Sequence, residues 1–137
     1  MRIKAGIPVA IFATFPLLAG AHHSFAAFDM SKNIVIEGTV TAYKLENPHA
    51  HMQMEVTTVD GKQQAKPTKW DVEGAAANIM RRQGWSATTI KPGDKVKFVG
   101  HPLHSGDPGL SLFYVILPDG KHVYQDIGRP VAGSNLP

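Results

Sequence analysis

From Ile34 onward apolar and polar positions alternate at the period of a β-strand. Ile34, Ile36, Gly38, Val40 and Ala42 fall on one side, with Glu37, Thr39 and Thr41 on the other. Tyr43 and Leu45 then change phase, and Gly38 can supply the bend or bulge that a coiled barrel strand needs. A second alternating run covers His51–Val59 and stops at the Asp60-Gly61 turn. Met52, Met54 and Val56 share its apolar face; His49, His51, Gln53 and Glu55 share the polar one. A third strand is expected over about residues 69–73, with Trp70 and Val72 on one face and Lys69, Asp71 and Glu73 on the other. Pro67 keeps its start at an edge.

The period then lengthens to that of a helix over residues 75–83. Ala76, Ile79, Met80 and Gln83 lie on one side, Arg81 and Arg82 lie away from it, and Gly84 stands at the C′ position. After the Lys91-Pro92-Gly93-Asp94 turn a fourth strand runs over residues 95–99, and residues 101–109 read as a loop rich in Gly, Pro and His. A strongly apolar fifth strand follows over 110–117. Pro118-Asp119-Gly120 turns the chain, and residues 122–125 add a sixth strand. The order predicts a mainly β fold: a small OB-like barrel of five or six strands with one short helix between strands three and four. A β-sandwich with one helix is the alternative.

The opening of the chain breaks this pattern. Arg2 and Lys4 precede an apolar run over 7–18 interrupted by Pro8 and Pro16, and Ala19-Gly20-Ala21 has the small-residue character of a cleavage site. Residues 1–21 are therefore read as a signal peptide, 22–33 as an N-terminal arm, 34–127 as the barrel and 128–137 as a flexible tail. Phe25 and Phe28 are available to pin the arm. The apolar run is short for a membrane span of ~20 residues, so no integral membrane span is expected after processing. The expected location is the periplasm or the outside of the cell.

Composition narrows the chemistry. The chain has no cysteine, which in an oxidising compartment means stability from one core without disulfides. Thiolate zinc sites, iron–sulfur clusters and cysteine nucleophiles are excluded. Loss of Arg2 and Lys4 with residues 1–21 lowers the formal net charge from +3 to +1, and no basic stripe points to nucleic acid. Enzyme signals are thin: Asp71 and Glu73 beside Lys69 read as a solvated face. Ser105-Gly106-Asp107 lacks the context of a nucleophile, and no glycine-rich phosphate cradle precedes the helix. No catalytic residue is assigned.

Histidine is the residue type left to carry a site. All seven histidines fall after residue 21. In an OB barrel ligands bind over strands two and three, between the loop after strand one and the loop after strand four. Here the first loop carries His49 and His51, the second His101 and His104. Cleavage after Ala21 makes His22 the first residue, able to clamp a metal through its amine and ring. His23 can instead chelate through ring, amide and amine. Imidazole suits copper, zinc and nickel. Each histidine has an ordinary reading beside this one, as a surface or hydrogen-bonding residue, and His122 is assigned to it; a pH-responsive surface is a third reading. Met52 and Met54 suit copper(I) through their thioethers, but they lie on the apolar face, where core packing is preferred.

Several of these stretches occur together in a known group. Ala21-His22-His23-Ser24-Phe25, Glu37-Gly38-Thr39-Val40, Asn47-Pro48-His49-Ala50, Arg81-Arg82-Gln83-Gly84-Trp85 and Lys91-Pro92-Gly93-Asp94 resemble a family of small secreted bacterial proteins classified as a domain of unknown function. The resemblance implies a periplasmic single domain and no activity. Its members usually carry an aromatic and aliphatic residues where this chain has His51, Met52 and Met54, so it points to His22, His23 and His49. At fold level the barrel and the Met-x-Met run also resemble the periplasmic copper chaperones of silver and copper efflux systems. The expected function is a periplasmic metal-binding module for Cu(II), with zinc or nickel as alternatives. It would use His22, His23 and His49, with His51, His101 and His104 as secondary ligands. The alternative is a non-metal module taking an oligosaccharide, a peptide or a periplasmic partner protein on the barrel face; a copper-dependent oxidase is the third reading.

Overall fold

The computed structural model describes residues 25–125 and Pro137. The predicted signal peptide, His22, His23 and the tail up to residue 136 lie outside the described residues.

One long strand, β1 (Ile34–Lys44), organises the rest because it pairs along both edges. It runs antiparallel to β2 (His51–Val59) on one side and to β4 (Lys95–Pro102) on the other. β2 pairs with β3 (Lys62–Glu73), and β4 with β5 (Gly109–Ile116). A parallel contact of Asp71, Val72 and Glu73 with Gly109, Leu110 and Ser111 closes the ring. β6 (His122–Tyr124) adds a sixth strand to β5. The expected mainly β, OB-like barrel is therefore present, closed by five strands. The parallel β3–β5 contact sets it apart from a sandwich of two open sheets.

The bends that allow closure lie where the pattern changes phase. Val40 faces Met54 while Ala42 faces Gln53, so Thr41 is the extra residue of a bulge and points to solvent. The residues beyond it exchange faces, which accounts for the switch at Tyr43. Gly38 answers a close approach: a Cβ there would sit 2.0 Å from the carbonyl oxygen of Glu55. Inside the ring, Ile36, Met54, Val56, Ile90 and Phe98 are wholly buried, with Met52 and Val72 at 1% exposure. Met52 and Met54 are thus core residues.

The helix, α1 (Ala77–Arg82), lies between β3 and β4 as expected but starts later than residue 75. It buries Ala77 and Met80, whereas Ala76 and Gln83 stay half-buried. It ends in a Schellman turn, with Gly84 at φ 93°, the Gly84 N–H donating to Arg81 and the Trp85 N–H to Met80. Trp85 then packs into the core and donates its indole N–H to the Tyr124 carbonyl at 2.7 Å.

Two strand boundaries differ from expectation by more than one residue. β3 begins at Lys62, because the hairpin through Asp60-Gly61 continues its ladder with Val59 facing Lys62 and Thr58 facing Gln63. Residues 62–69 are exposed throughout, so no buried face marks them as strand in the sequence. β4 runs on to Pro102, which places His101 on a strand opposite Ser111 rather than in the following loop.

Candidate functional site

Strand pairing aligns a row of side chains around the outside of the barrel. His101 on β4 faces Ser111 on β5, Ser111 lies beside Glu73 on β3, Glu73 faces His51 on β2, and His51 faces Lys44 on β1. Neighbouring strands are ~4.8 Å apart and register partners share a face. One step along β2 and β3, Gln53 faces Asp71, its amide donating to the Asp71 carboxylate at 2.8 Å.

Glu73 is where two depressions meet. The larger, about 720 Å³, is the expected OB face, bounded by Glu46 of the β1–β2 loop and by Leu103, Asp107 and Pro108 of the β4–β5 loop. Its floor includes His51, Gln53, Asp71 and Glu73. Among the described residues four carboxylates line it (Glu46, Asp71, Glu73 and Asp107) against a single ammonium, Lys44. Such a rim attracts cations and disfavours anions. The smaller pocket, about 190 Å³, is walled by Phe28, Pro48 and Ile79 and carries His49, Glu73, Ser111 and Gln125 as its polar lining.

The two histidines expected to work as a pair line different depressions. His49 lies in the loop before β2, and its Nδ1 is 3.1 Å from Glu73 Oε1. His51 opens β2 and faces the larger cleft. Between them Ala50 donates its N–H to Ala75 and accepts from Gly74 through its carbonyl, with its side chain wholly buried.

The other pair meets the arm. The His101 Nδ1 lies 2.7 Å from the Lys32 carbonyl; a carbonyl only accepts, so Nδ1 carries the proton. His104 is exposed and meets the arm through its backbone, the N–H donating to Ala27 at 3.0 Å. Neither lines the two depressions described. Among the described residues no three His, Asp or Glu side chains are grouped to hold a metal ion. His122 stacks on Tyr114 with ring centroids 5.2 Å apart.

These contacts fasten the arm to the barrel. Phe28 forms a bridge with Leu103 and is 7% exposed, and the Asp29 N–H donates to the Pro102 carbonyl at 2.8 Å. The Asp29 carboxylate accepts from the Ser31 hydroxyl and lies 3.1 Å from the Lys32 ammonium. Those two partners, the Ser31 hydroxyl first, hold its carboxyl down at about 2. Phe28 contributes to both depressions.

Glu73, Ser111, Gln125 and Asp107 were not among the site residues expected from sequence. Glu73 alternates with buried Val72 like any surface carboxylate, and its neighbours come from distant stretches. Only the β3–β5 closure brings Ser111 beside it.

Among the described residues no helix is long and apolar enough to cross a membrane. No curated protein and no solved structure matches the chain. A family model does match, over residues 11–111, a span that holds β1 to β4, α1 and the first residues of β5, up to the Ser111 that meets Glu73. On that match the chain belongs to DUF6152, a family of unknown function.

Proposed function

We propose that this is a periplasmic Cu(II)-binding module in which His49 acts together with the amine and ring of His22, freed by removal of residues 1–21. The observation that carries the reading is the 3.1 Å contact of His49 Nδ1 with Glu73. A carboxylate this close to Nδ1 favours the proton there and leaves Nε2 with its lone pair, as in carboxylate–histidine–metal arrangements. The arm supplies the second half of the argument. Phe28 and His49 line one pocket, and the three residues 22–24 ahead of the 3-10 turn Phe25–Ala27 can span up to ~10 Å of extended chain. His23 and His51 are near enough in sequence to these two to complete the ligand set; zinc or nickel would use the same donors.

Isothermal titration of the secreted protein, its first residue fixed by intact mass, tests the proposal. One Cu(II) should bind with a Kd below micromolar. His49→Ala should abolish that affinity, and Glu73→Gln should weaken it by roughly 10- to 100-fold. Micromolar or weaker binding, indifferent to both His49 and the free terminus, would end the reading. A second reading, a module for a peptide, oligosaccharide or partner protein, is favoured by the 720 Å³ cleft between the two OB loops. Its four carboxylates point to a basic peptide, and binding that survives chelation would select it.

A further inference from the structure

We propose that the smaller pocket is a separate binding site for a compact organic ammonium ion, its head on Glu73 and Ser111 and its apolar body against Phe28, Pro48 and Ile79. Ser111 is the first observation. It is 5% exposed and lies in the wall of the pocket, where its hydroxyl can accept from a ligand.

The charge of the lining sets the head group. Among the described residues Glu73 is the one carboxylate in the wall, and neither lysine nor arginine accompanies it. His49 engages Oε1, which leaves Oε2 to accept from a ligand. Gln125 accepts from the Ala75 N–H at 2.8 Å through its Oε1, so its own amide N–H groups stay available. A primary ammonium satisfies Glu73 and Ser111 together through charge-assisted bonds. A carboxylate would meet Glu73 as a like charge.

Size sets the body. A volume of about 190 Å³ exceeds the ~150 Å³ of an apolar cavity known to take benzene. One six-membered ring with a short arm fits, and a sugar chain or a peptide does not. The site is also distinct from the Cu(II) reading. The two nitrogens of an imidazole point away from each other, so a metal on His49 Nε2 lies on the far side of the ring from Glu73.

The test is an NMR shift titration of the isotope-labelled secreted chain in excess chelator, with benzylamine, benzyl alcohol and benzoate as probes. Chelation removes any metal, so the outcome is independent of the Cu(II) proposal. Benzylamine should shift the amides of Glu73, Ile79 and Ser111 and bind about tenfold or more tightly than benzyl alcohol, with benzoate weakest. Glu73→Gln should bring benzylamine down to the level of benzyl alcohol, and Ile79→Phe should block both by filling the pocket. Equal affinity for the three probes, or shifts confined to Asp71 and Asp107 in the larger cleft, would overturn the proposal. The charge series on the unaltered chain decides the matter even where a variant fails to fold.

Discussion

β2 and β3 present two faces that differ in what fixes them. Inward, Met52, Met54, Val56 and Val72 are at most 1% exposed and pack with Ile36, Phe98 and Met80 in one cluster. Outward, His51 faces Glu73, Gln53 faces Asp71 and Glu55 faces Lys69. Closing the barrel constrains the inner set by volume, since interiors are packed to crystal-like density. The outer set is constrained only where a side chain finds a specific partner. Where it does, as with Gln53 and Asp71 or with His49 of the preceding loop and Glu73, the outer surface is fixed as well. Core packing and the proposed binding contacts thus fall on alternate residues, Val72 inward and Asp71 and Glu73 outward.

The largest break in that comparison comes from two adjacent truncations. Met54→Ala leaves a void in a core with no exposed atom to relax toward, and should cost roughly 2–5 kcal/mol in urea unfolding. Gln53→Ala removes one exposed cross-strand partner and should cost roughly 0.2–1 kcal/mol. Similar losses for the two would mean that the faces are not divided as described.

An intermediate effect is expected where the outer row meets the arm. His101→Ala removes the bond to the Lys32 carbonyl, at roughly 0.5–1.5 kcal/mol. Amide exchange should quicken at Asp29 and His104, whose N–H groups join arm and barrel, and stay slow at Val99 and Val115 in the wall. Uniform acceleration would show that the arm and the barrel open as one unit.

The inner face was legible in the sequence and the outer one was not. Alternation marks Met52, Met54 and Val56 because burial imposes a period of two, and the phase change at Tyr43 marks the bulge at Thr41. Gly84 and Asp60-Gly61 announce themselves by turn chemistry, with φ of 93° at Gly84 and 47° and 73° in the turn. Residues 62–68 carry no such signal, since both their faces are wet and Pro67 speaks against a strand. His101 reads as loop because Gly100 and Pro102 flank it. Gly100 is in fact required by the ladder, where a Cβ would lie 2.0 Å from the Ser111 carbonyl oxygen. Glu73 meets His49 through the antiparallel β2–β3 pairing, whereas its place beside Ser111 depends on a parallel contact between strands far apart in the chain, which no local pattern encodes.

The smallest effect, and the sharpest in location, concerns the turn that starts the arm's descent onto the barrel. The Asp29 carboxyl is held at about 2 against an ordinary value of 3.8, chiefly by the Ser31 hydroxyl and then by Lys32. A carboxyl lowered in the folded state favours folding when ionised. Its contribution is complete above the ordinary value and is lost as pH falls from there through about 2. The Ser31 N–H donates to the same carboxylate at 3.1 Å, so its amide shift reports the event directly. Titrated from pH 5 downward, it should hold through pH 4 and move with a midpoint near 2, whereas Asp29→Asn should remove the transition altogether. The bond from Asp29 N–H to Pro102 is backbone to backbone and should outlast the protonation. A Leu103 amide that moved in step with Ser31 would instead show the turn and the barrel contact to be one cooperative unit, which would extend the specific outer-face partnerships from the barrel wall into the arm.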